Sequence, residues 1–342
     1  MGNNTSILLI YTGGTIGMVH DPETGTLVPF NFDHIQDQVP ELKRFEFSID
    51  SISFDPLIDS SEVTPDVWIK IAEIIESKYH NYDGFVVLHG TDTMAYSASA
   101  LSFMLDNLGK PVIFTGSQLP IGMLRTDGKE NLISALEIAA AKDGDKAMVP
   151  EVCIYFENCL LRGNRTTKQS TEQFNAFVSP NCDALARAGI NIKYNRNIIR
   201  YSTVRQNLKV NKNFSTSVAV LKIYPGIDLT VVKAILRSGI RGLVLESYGA
   251  GNAPTNEWFL NEIKAFVDKG GVIINVSQCS TGSVQSELYE TGIKLSQTGV
   301  ISGKDITTES ALTKLMLLLG EYDDNEKIEN MLKKLSKGEI SL

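Results

Sequence analysis

Two threonines, each beside glycine at the end of an apolar run, are the residues of this chain best suited to chemistry. Thr15 lies in Thr-Gly-Gly-Thr-Ile-Gly at residues 12–17, after an apolar stretch that begins at Ile7. Thr91 lies in His-Gly-Thr-Asp-Thr-Met at residues 89–94, after a second apolar stretch, with Asp92 beside it. A threonine hydroxyl attacks a carbonyl carbon only when a neighbouring group activates it. These residue types indicate a hydroxyl nucleophile with an acidic activating group.

The glycines permit a second interpretation. Glycine after a strand often only forms the turn into the next helix, and aspartate is a preferred helix cap, so Asp92 could cap a helix starting near Thr93. Residues 12–17 lack the glycine spacing of a dinucleotide loop, and no Gly-Lys-Ser/Thr of a phosphate loop follows. From these residues alone, turn and nucleophile both remain open.

The four histidines and four cysteines show no spacing typical of a metal site or a disulfide framework. The chain has neither a His-Glu-x-x-His motif nor a Cys-x-x-Cys motif. A serine nucleophile is not excluded by residue counts, but no Gly-x-Ser-x-Gly turn occurs. We therefore expect no metal, no cofactor and reduced cysteines.

Alternating strand and helix patterns must position these residues. Helix 65–79 has the strongest signal, because Thr64 can cap it, Pro65 suits its first turn, and apolar residues recur on one face. Strands are predicted at residues 7–11, 85–89, 112–115, 152–156, 218–224, 242–247 and 272–276. Further helices are predicted at residues 97–108, 129–141, 229–237, 256–269, 306–319 and 323–337. This alternation predicts an α/β fold with doubly wound, mostly parallel sheets, whose ligands bind at the carboxyl ends of the strands.

The chain of 342 residues is long enough for two domains. The alternation breaks in a polar, turn-rich stretch at residues 191–217. We predict a larger N-terminal domain at residues 1–195, a linker at 196–216 and a smaller C-terminal domain at 217–342.

Charge and hydropathy exclude two classes of partner. The formal net charge of −8 argues against binding to nucleic acid or to an anionic membrane. No apolar segment approaches the roughly 20 residues that span a bilayer, and the N-terminus lacks the basic region of a signal peptide. A cytoplasmic protein without membrane or nucleic-acid partners is expected.

Five segments in order resemble the bacterial-type asparaginase family, and within it the cytoplasmic type I branch. The two threonine segments, at residues 12–17 and 84–94, match the two family signatures. Three further segments resemble type I members: Thr115 to Gln118, Arg162 to Lys168, and Ser247 to Pro254. The resemblance implies a two-domain α/β enzyme that hydrolyses L-asparagine to L-aspartate and ammonia.

The resemblance also implies roles for individual residues. Thr15 would be acylated as a β-aspartyl ester, and Thr91, Asp92 and Lys168 would form a second catalytic group that activates water. An arbitrary lysine is usually solvated, and the run 162–168 is strongly basic, so these side chains could instead lie on the surface. Backbone N–H groups near the glycine turns would stabilise the oxyanion.

The substrate-binding residues implied by the resemblance come from several segments: Asp59, Ser60, Ser61, Thr91, Asp92, Ser117 and Asn252. Residues 59–62 could instead only cap the helix at Pro65. Asn252 matches a position that in the family reaches a neighbouring subunit's site, which implies a homodimer or homotetramer.

Two positions depart from the family pattern. The loop at residues 20–28 lacks the family's tyrosine, and Thr26 is the residue that could take over part of its role. Some type I members have a regulatory site with an arginine just before Ser-Tyr-Gly, where this chain has Glu246. Thr167, Asn252 and Cys279 remain of that site, and we expect little cooperativity because Glu246 would repel the ligand carboxylate.

Three alternatives share this core. They are a mixed glutaminase-asparaginase, an amidotransferase subunit, and an inactive amino-acid sensor. The amidotransferase subunit usually carries an extra N-terminal domain, for which the position of Thr15 leaves no room. Retention of Thr15, Thr91, Asp92 and Lys168 argues against the sensor.

Overall fold

A computed structural model of the chain describes residues 5–20, 27–29, 39–201 and 206–341. The chain divides into two compact units, one of Met1–Ser179 with Asp183–Val210 and one of Pro180–Cys182 with Asn211–Leu342. The division after Val210 falls inside the proposed linker at 196–216. Among the described residues, no helix is both long and apolar enough to cross a membrane.

The strands of the first unit form an eight-stranded sheet and several two-stranded pairs. The sheet has the order β15-β14-β11-β10-β7-β5-β1-β4. The strands of this unit are β1 (Ser6–Tyr11), β2 (Met18–His20), β3 (Leu27–Pro29), β4 (Ser48–Ser53), β5 (Gly84–Leu88), β6 (Leu105–Asp106), β7 (Val112–Thr115), β8 (Lys142–Asp143), β9 (Lys146–Ala147), β10 (Val152–Phe156), β11 (Cys159–Arg162), β12 (Thr167–Lys168), β13 (Phe177–Val178), β14 (Ala186–Arg187), β15 (Lys193–Tyr194) and β16 (Lys209–Val210).

The parallel part of this sheet confirms the predicted fold class. Strands β4, β1, β5, β7 and β10 pair in parallel, and β11, β14 and β15 continue the sheet antiparallel. All five residues of β5 and of β10 are buried, as expected for parallel strands covered on both faces. Strand β4 was missed, because its polar Ser-Ile-Asp-Ser-Ile-Ser sequence belongs to an edge strand in which no residue is fully buried.

Among the described residues of the first unit, three α-helices flank the parallel strands. They are α1 (Pro65–Lys78), α2 (Met94–Met104) and α3 (Gly128–Ala140). Thr64 occupies the N-cap position of α1, but its side chain makes no capping hydrogen bond, so the predicted cap is wrong in that respect. Helix α2 begins earlier and ends earlier than residues 97–108, because Leu105 leaves the helix to pair with Val210 of β16.

The second unit is a smaller α/β set. Its parallel sheet has the order β17-β18-β19-β20, with β17 (Val218–Lys222), β18 (Gly242–Ser247), β19 (Val272–Ser277) and β20 (Ile301–Ser302). Its helices are α4 (Leu229–Leu236), α5 (Glu257–Asp268), α6 (Glu290–Ser296), α7 (Thr308–Glu321) and α8 (Asn325–Lys333). The last helix is shorter than the predicted 323–337, because Asp324 caps its start and the chain after Lys333 leaves the helix.

Candidate active site

The two threonine loops lie together at the carboxyl edge of the first sheet. Strands β1 and β5 are parallel neighbours, and Thr12 N donates to Leu88 O at 3.0 Å just beyond the ladder. Gly14 has φ of +91°, and a Cβ there would lie 2.6 Å from Gly90 Cα. Such a distance is too short for any side chain, so glycine allows the loop that carries Thr15 to touch the loop that carries Thr91.

Thr15 begins a short 3-10 turn, Thr15–Gly17, whose Ile16 is buried and anchors it. A Cβ at Gly17 would lie 2.1 Å from the hydroxyl oxygen of Tyr11, so the turn also packs closely against the end of β1. The Thr15 side chain itself is half-buried. The turn therefore holds this hydroxyl at the sheet edge on a fixed backbone.

Thr91, Asp92 and Lys168 form one hydrogen-bonded group. Lys168 Nζ donates to Thr91 Oγ1 at 2.8 Å and to Asp92 Oδ1 at 2.7 Å. The side chain of Lys168 is 14% exposed, whereas that of Asp92 is 62% exposed. Asp92 does not cap a helix, since α2 begins at Met94 with Thr93 at the N-cap position. The geometry agrees with the implied group and not with a solvated lysine and a helix cap.

The segment before Lys168 explains how a basic run can lie inside. Arg162 is buried and Arg162 Nε donates to Glu151 Oε2 at 2.7 Å, so its charge is paired. Arg165 is also buried. Strand β12 then pairs with β13, with Lys168 opposite Phe177. The buried turn and this short ladder aim the Lys168 side chain back at the carboxyl end of β5.

Ser60–Glu62 form a 3-10 turn, with Asp59 at its N-cap, that packs against the same loops. The Asp59 carboxylate accepts from Ser61 N and from Ser61 Oγ, both at 2.8 Å. The hydrogen bond from the Ser61 backbone, followed by that from its hydroxyl, lowers the pKa of Asp59. Ser60 is buried, and its carbonyl accepts from Thr93 Oγ1 at 2.6 Å. Asp59 thus caps this turn rather than the helix at Pro65.

A cavity of about 320 Å³ joins these parts. Six residues proposed from the sequence line it: Thr15, Asp59, Ser60, Thr91, Asp92 and Lys168. Nine residues without an assigned role also line it: Tyr11, Gly13, Gly14, Met18, Leu57, Ile58, Gly90, Gln118 and Thr171. The cavity therefore presents hydroxyl, carboxylate, ammonium and carboxamide groups to one small space.

Gln118 is the most informative residue that sequence reasoning missed. The Thr91 hydroxyl lies 3.5 Å from Gln118 Oε1, and Gln118 Nε2 donates to Gln173 O at 3.1 Å. The Asp127 carboxylate accepts from Gln118 N, which anchors the loop. A signal was present, because Gln118 ends the segment that follows β7, the next parallel strand beyond β5.

Three residues proposed for substrate binding are not among those that line the cavity. The Ser61 hydroxyl is engaged by Asp59. Ser117 is buried and its hydroxyl donates to Leu119 O. Asn252 belongs to the second unit, where its Oδ1 accepts from Thr291 Oγ1 at 2.7 Å. Within the first unit, geometry gives no support to a substrate contact by Ser61 or Ser117.

The residues of the possible regulatory site are divided between the units. Thr167 lies in β12 of the first unit, whereas Glu246, Asn252 and Cys279 lie in the second. Glu246 Oε1 accepts from Thr308 Oγ1 at 2.7 Å, and Lys222 Nζ lies 3.9 Å from its Oε2. Cys279 is exposed and its N–H donates to Ser277 Oγ.

Thr26 lies outside the described residues, so its proposed role has no structural counterpart here. In the described part of the chain, no group of three or more histidine, cysteine, aspartate or glutamate side chains is placed to hold a metal ion.

Comparisons with known proteins follow the same two-part division. The model of "Asparaginase, N-terminal" matches residues 6–200, and that of "Glutaminase/Asparaginase C-terminal domain" matches residues 217–332. L-asparaginase 1 of Escherichia coli strain K12 is 46% identical over 98% of both chains. The 60 kDa lysophospholipase of Mus musculus is 40% identical over 100% of this chain and 64% of its own length.

A solved structure gives the same result. L-asparaginase I from Vibrio cholerae is 41% identical, with a TM-score of 0.90 over 99% of this chain and 100% of the other. The matched regions include both threonine loops, the Lys168 segment and the second α/β set. On sequence and fold alike, the chain belongs to the asparaginase family.

Proposed function

We propose that this protein hydrolyses L-asparagine to L-aspartate and ammonia. The observation that carries the proposal is the Lys168 ammonium, which contacts Thr91 Oγ1 and Asp92 Oδ1 at the cavity that Thr15 also lines. Family membership and the similarity to L-asparaginases support the same reaction. A hydroxyl nucleophile and a second proton-handling group are what two-step acyl transfer requires.

In the first half-reaction, Thr15 Oγ attacks the carboxamide carbon of the substrate. The new C–O bond forms as the carbonyl π electrons move to oxygen, and backbone N–H groups of the glycine turns stabilise that oxyanion. Collapse of the tetrahedral intermediate breaks the C–N bond. The leaving nitrogen takes up the proton that the Thr15 hydroxyl lost, so ammonia departs. A β-aspartyl ester on Thr15 remains.

In the second half-reaction, water cleaves this ester. Lys168 contacts both Thr91 Oγ1 and Asp92 Oδ1, so it can give one proton to the Asp92 carboxylate as it takes the Thr91 proton, while Thr91 takes a proton from water. Attack of the resulting hydroxide on the ester carbon releases aspartate and returns a proton to Thr15. The same group can also assist the first attack, and the assignment of each threonine to one half-reaction is itself part of the proposal.

Substrate recognition follows from the charges around the cavity. The Asp92 carboxylate can accept from the substrate ammonium group, and Ser60 can donate to its carboxylate. Asp59 carries a lowered pKa and so stays ionised as a second acceptor. A site built for one side-chain length misplaces the longer amide of glutamine, so asparagine is the preferred substrate.

The mouse relative named a lysophospholipase suggests a second candidate activity, ester hydrolysis in lipids. The cavity favours the amino-acid amide. Its volume of about 320 Å³ lies at the small end of ligand sites, which suits an amino acid better than a lipid with a long acyl chain. Most of its lining side chains are also polar.

The assembly and the compartment are further parts of the proposal. A homodimer or homotetramer in the cytoplasm fits the type I resemblance, with Asn252 contributed to a neighbouring subunit's site. Sedimentation of the purified protein, compared with the mass of 37.6 kDa for one chain, tests the assembly.

Replacement of Thr15 tests the function. Thr15→Ala is expected to lower kcat for asparagine by more than about a thousandfold, because it removes the acyl acceptor. Thr15→Ser keeps a hydroxyl and is the matched control, with activity well above that of Thr15→Ala. Ammonia release from asparagine and glutamine is measured side by side, and circular dichroism checks the fold. Turnover by Thr15→Ala within about tenfold of the unsubstituted protein would refute the assignment of Thr15 as the nucleophile. Equal kcat/KM for asparagine and glutamine would favour a glutaminase-asparaginase.

A further inference from the structure

His89 is a buried ionisable residue that the proposed mechanism does not use. Only 1% of its surface is exposed, and both ring nitrogens have partners. Nδ1 lies 2.7 Å from Gly90 O, and Nε2 lies 2.9 Å from Ser97 Oγ. Ser97 Oγ in turn accepts from Trp68 Nε1 at 3.0 Å. A continuous hydrogen-bonded chain thus runs from α1 through α2 to the residue that precedes Thr91.

The direction of each hydrogen bond in this series follows from its two ends. The Gly90 carbonyl can only accept, so His89 Nδ1 carries the ring proton and donates to it. In the neutral ring Nε2 is then an acceptor, so Ser97 Oγ donates to Nε2 while it accepts from the indole N–H of Trp68, which can only donate.

That carbonyl belongs to the peptide unit joining Gly90 to Thr91, which is trans. In a trans peptide the C=O and N–H groups point in opposite directions. A carbonyl held towards the buried ring directs the Thr91 N–H away from it, to the side where Gly90 and Thr91 line the cavity. Among the described residues, the Thr91 N–H meets no intramolecular acceptor.

We propose that His89, held by Ser97 and Trp68, is a positioning residue that aims the Thr91 N–H at the oxyanion formed on the substrate carbonyl. The inference rests on the proposed amide hydrolysis. It adds to that reaction a buried device that keeps one oxyanion donor in place before substrate binds, which is the arrangement that lowers the barrier most effectively.

The backbone around His89 and Gly90 is closely packed, which leaves the Gly90–Thr91 peptide little space to rotate. A Cβ at Gly116 would lie 2.4 Å from His89 O, and a Cβ at Gly90 would lie 2.5 Å from Ser60 Oγ. Rotation of the Gly90–Thr91 peptide would disturb the loops that carry Ser60 and Thr15. Burial also lowers the pKa of His89 to about 4, although the hydrogen bond with the Gly90 carbonyl opposes this shift. The ring is therefore neutral near pH 7, as these hydrogen bonds require.

Two substitutions of His89 separate its two contacts. The amide nitrogen of asparagine occupies the position of Nδ1, so His89→Asn keeps the donor to Gly90 O. The end of glutamine occupies the position of Nε2, so His89→Gln keeps the contact with Ser97 and loses that donor. We expect kcat for asparagine to fall about tenfold to a hundredfold in His89→Gln, with KM changed by less than about twofold, and to stay within about threefold in His89→Asn.

A third variant covers the case in which both His89 variants fail to fold. Trp68→Phe keeps an aromatic side chain and removes the N–H that donates to Ser97 Oγ. The Ser97 hydroxyl loses one of the two hydrogen-bond partners that fix it, so the His89 ring is held less firmly. Its kcat is expected to fall about threefold to tenfold at unchanged KM.

The outcomes distinguish this inference from the proposed function. If the unsubstituted protein releases no ammonia from asparagine, the proposed function fails. If it is active and Thr15→Ala is not, while His89→Gln keeps full kcat, only the inference is overturned. Equal losses in His89→Asn and His89→Gln that follow a shared fall in Tm would also overturn it, because they would indicate packing rather than donation. If neither His89 variant folds, full kcat in Trp68→Phe overturns it.

Discussion

Lys168 illustrates how chemistry at the scale of a residue depends on burial and partners. Its ammonium is 14% exposed and contacts a hydroxyl and a carboxylate, whereas most lysines of this chain face solvent. An ammonium held in that way keeps the Thr91 hydroxyl oriented and pairs with the exposed carboxylate of Asp92. We therefore expect any contribution of Lys168 to catalysis to be shared with Thr91.

That sharing predicts a non-additive pair of substitutions. Thr91→Val and Lys168→Met are each expected to lower kcat by more than about a hundredfold, because each breaks the same proton path. The kcat of the double variant should be at most about threefold below that of the slower single variant. Steady-state rates of the four proteins measure the coupling. Additive losses, or changes confined to KM, would mean that the two residues act separately or only bind substrate.

At the scale of elements, helix α7 carries a buried ion pair that ties down the end of the chain. Lys314 is 4% exposed and Glu339 is 0% exposed, and their side chains form a direct ion pair. Glu339 also accepts from Lys337 N at 2.7 Å, and Lys314 Nζ donates to Lys334 O at 3.0 Å. The residues after α8 are thus fastened to α7 by charges that have satisfied partners.

Removal of one partner should cost stability. Lys314→Met leaves the Glu339 carboxylate buried without its cation, and we expect the free energy of unfolding to fall by about 3–5 kcal/mol. The double variant Lys314→Met/Glu339→Leu should recover much of that loss. The control is Lys264→Met, which breaks a pair with Asp268 whose side chains are both 57% exposed and should change stability by less than about 1 kcal/mol. Urea unfolding measures all four proteins, and equal effects of Lys314→Met and Lys264→Met would contradict the argument.

At the scale of the whole molecule, Glu246 is the residue on which we base a prediction about regulation by substrate. Its side chain is 17% exposed and already accepts from Thr308, with Lys222 3.9 Å away. A carboxylate at this position repels the carboxylate of an amino acid, so we expect a hyperbolic dependence of rate on asparagine, with a Hill coefficient near one.

Initial rates over a wide range of asparagine concentration measure that coefficient. Glu246→Gln serves as the matched variant, because it removes the charge and keeps the size of the side chain. A Hill coefficient in the unsubstituted protein near the number of coupled sites would show that Glu246 does not prevent regulation. A rise in the coefficient only in Glu246→Gln would support the repulsion.

The sequence by itself determined the alternation of strands and helices and the loops in which Thr15 and Thr91 lie. Such features are local, since an apolar run followed by glycine marks the end of a buried strand within a few residues. The resemblance to asparaginases then identified Lys168 and Asp59 before any contact was known. Edge strand β4 and the exact helix ends escaped prediction, because partners far along the chain determine them.

Only the tertiary structure decided which distant side chains meet. Lys168 and Thr91 are 77 positions apart, and their contact depends on the order of strands in the sheet and on a buried basic turn. Trp68, Ser97 and His89 lie in α1, in α2 and in the loop after β5, and no periodicity in the sequence indicates that they form one series of hydrogen bonds. Hydrophobic patterning specifies which face of an element is buried, whereas the pairing of polar groups within that interior is specified by packing.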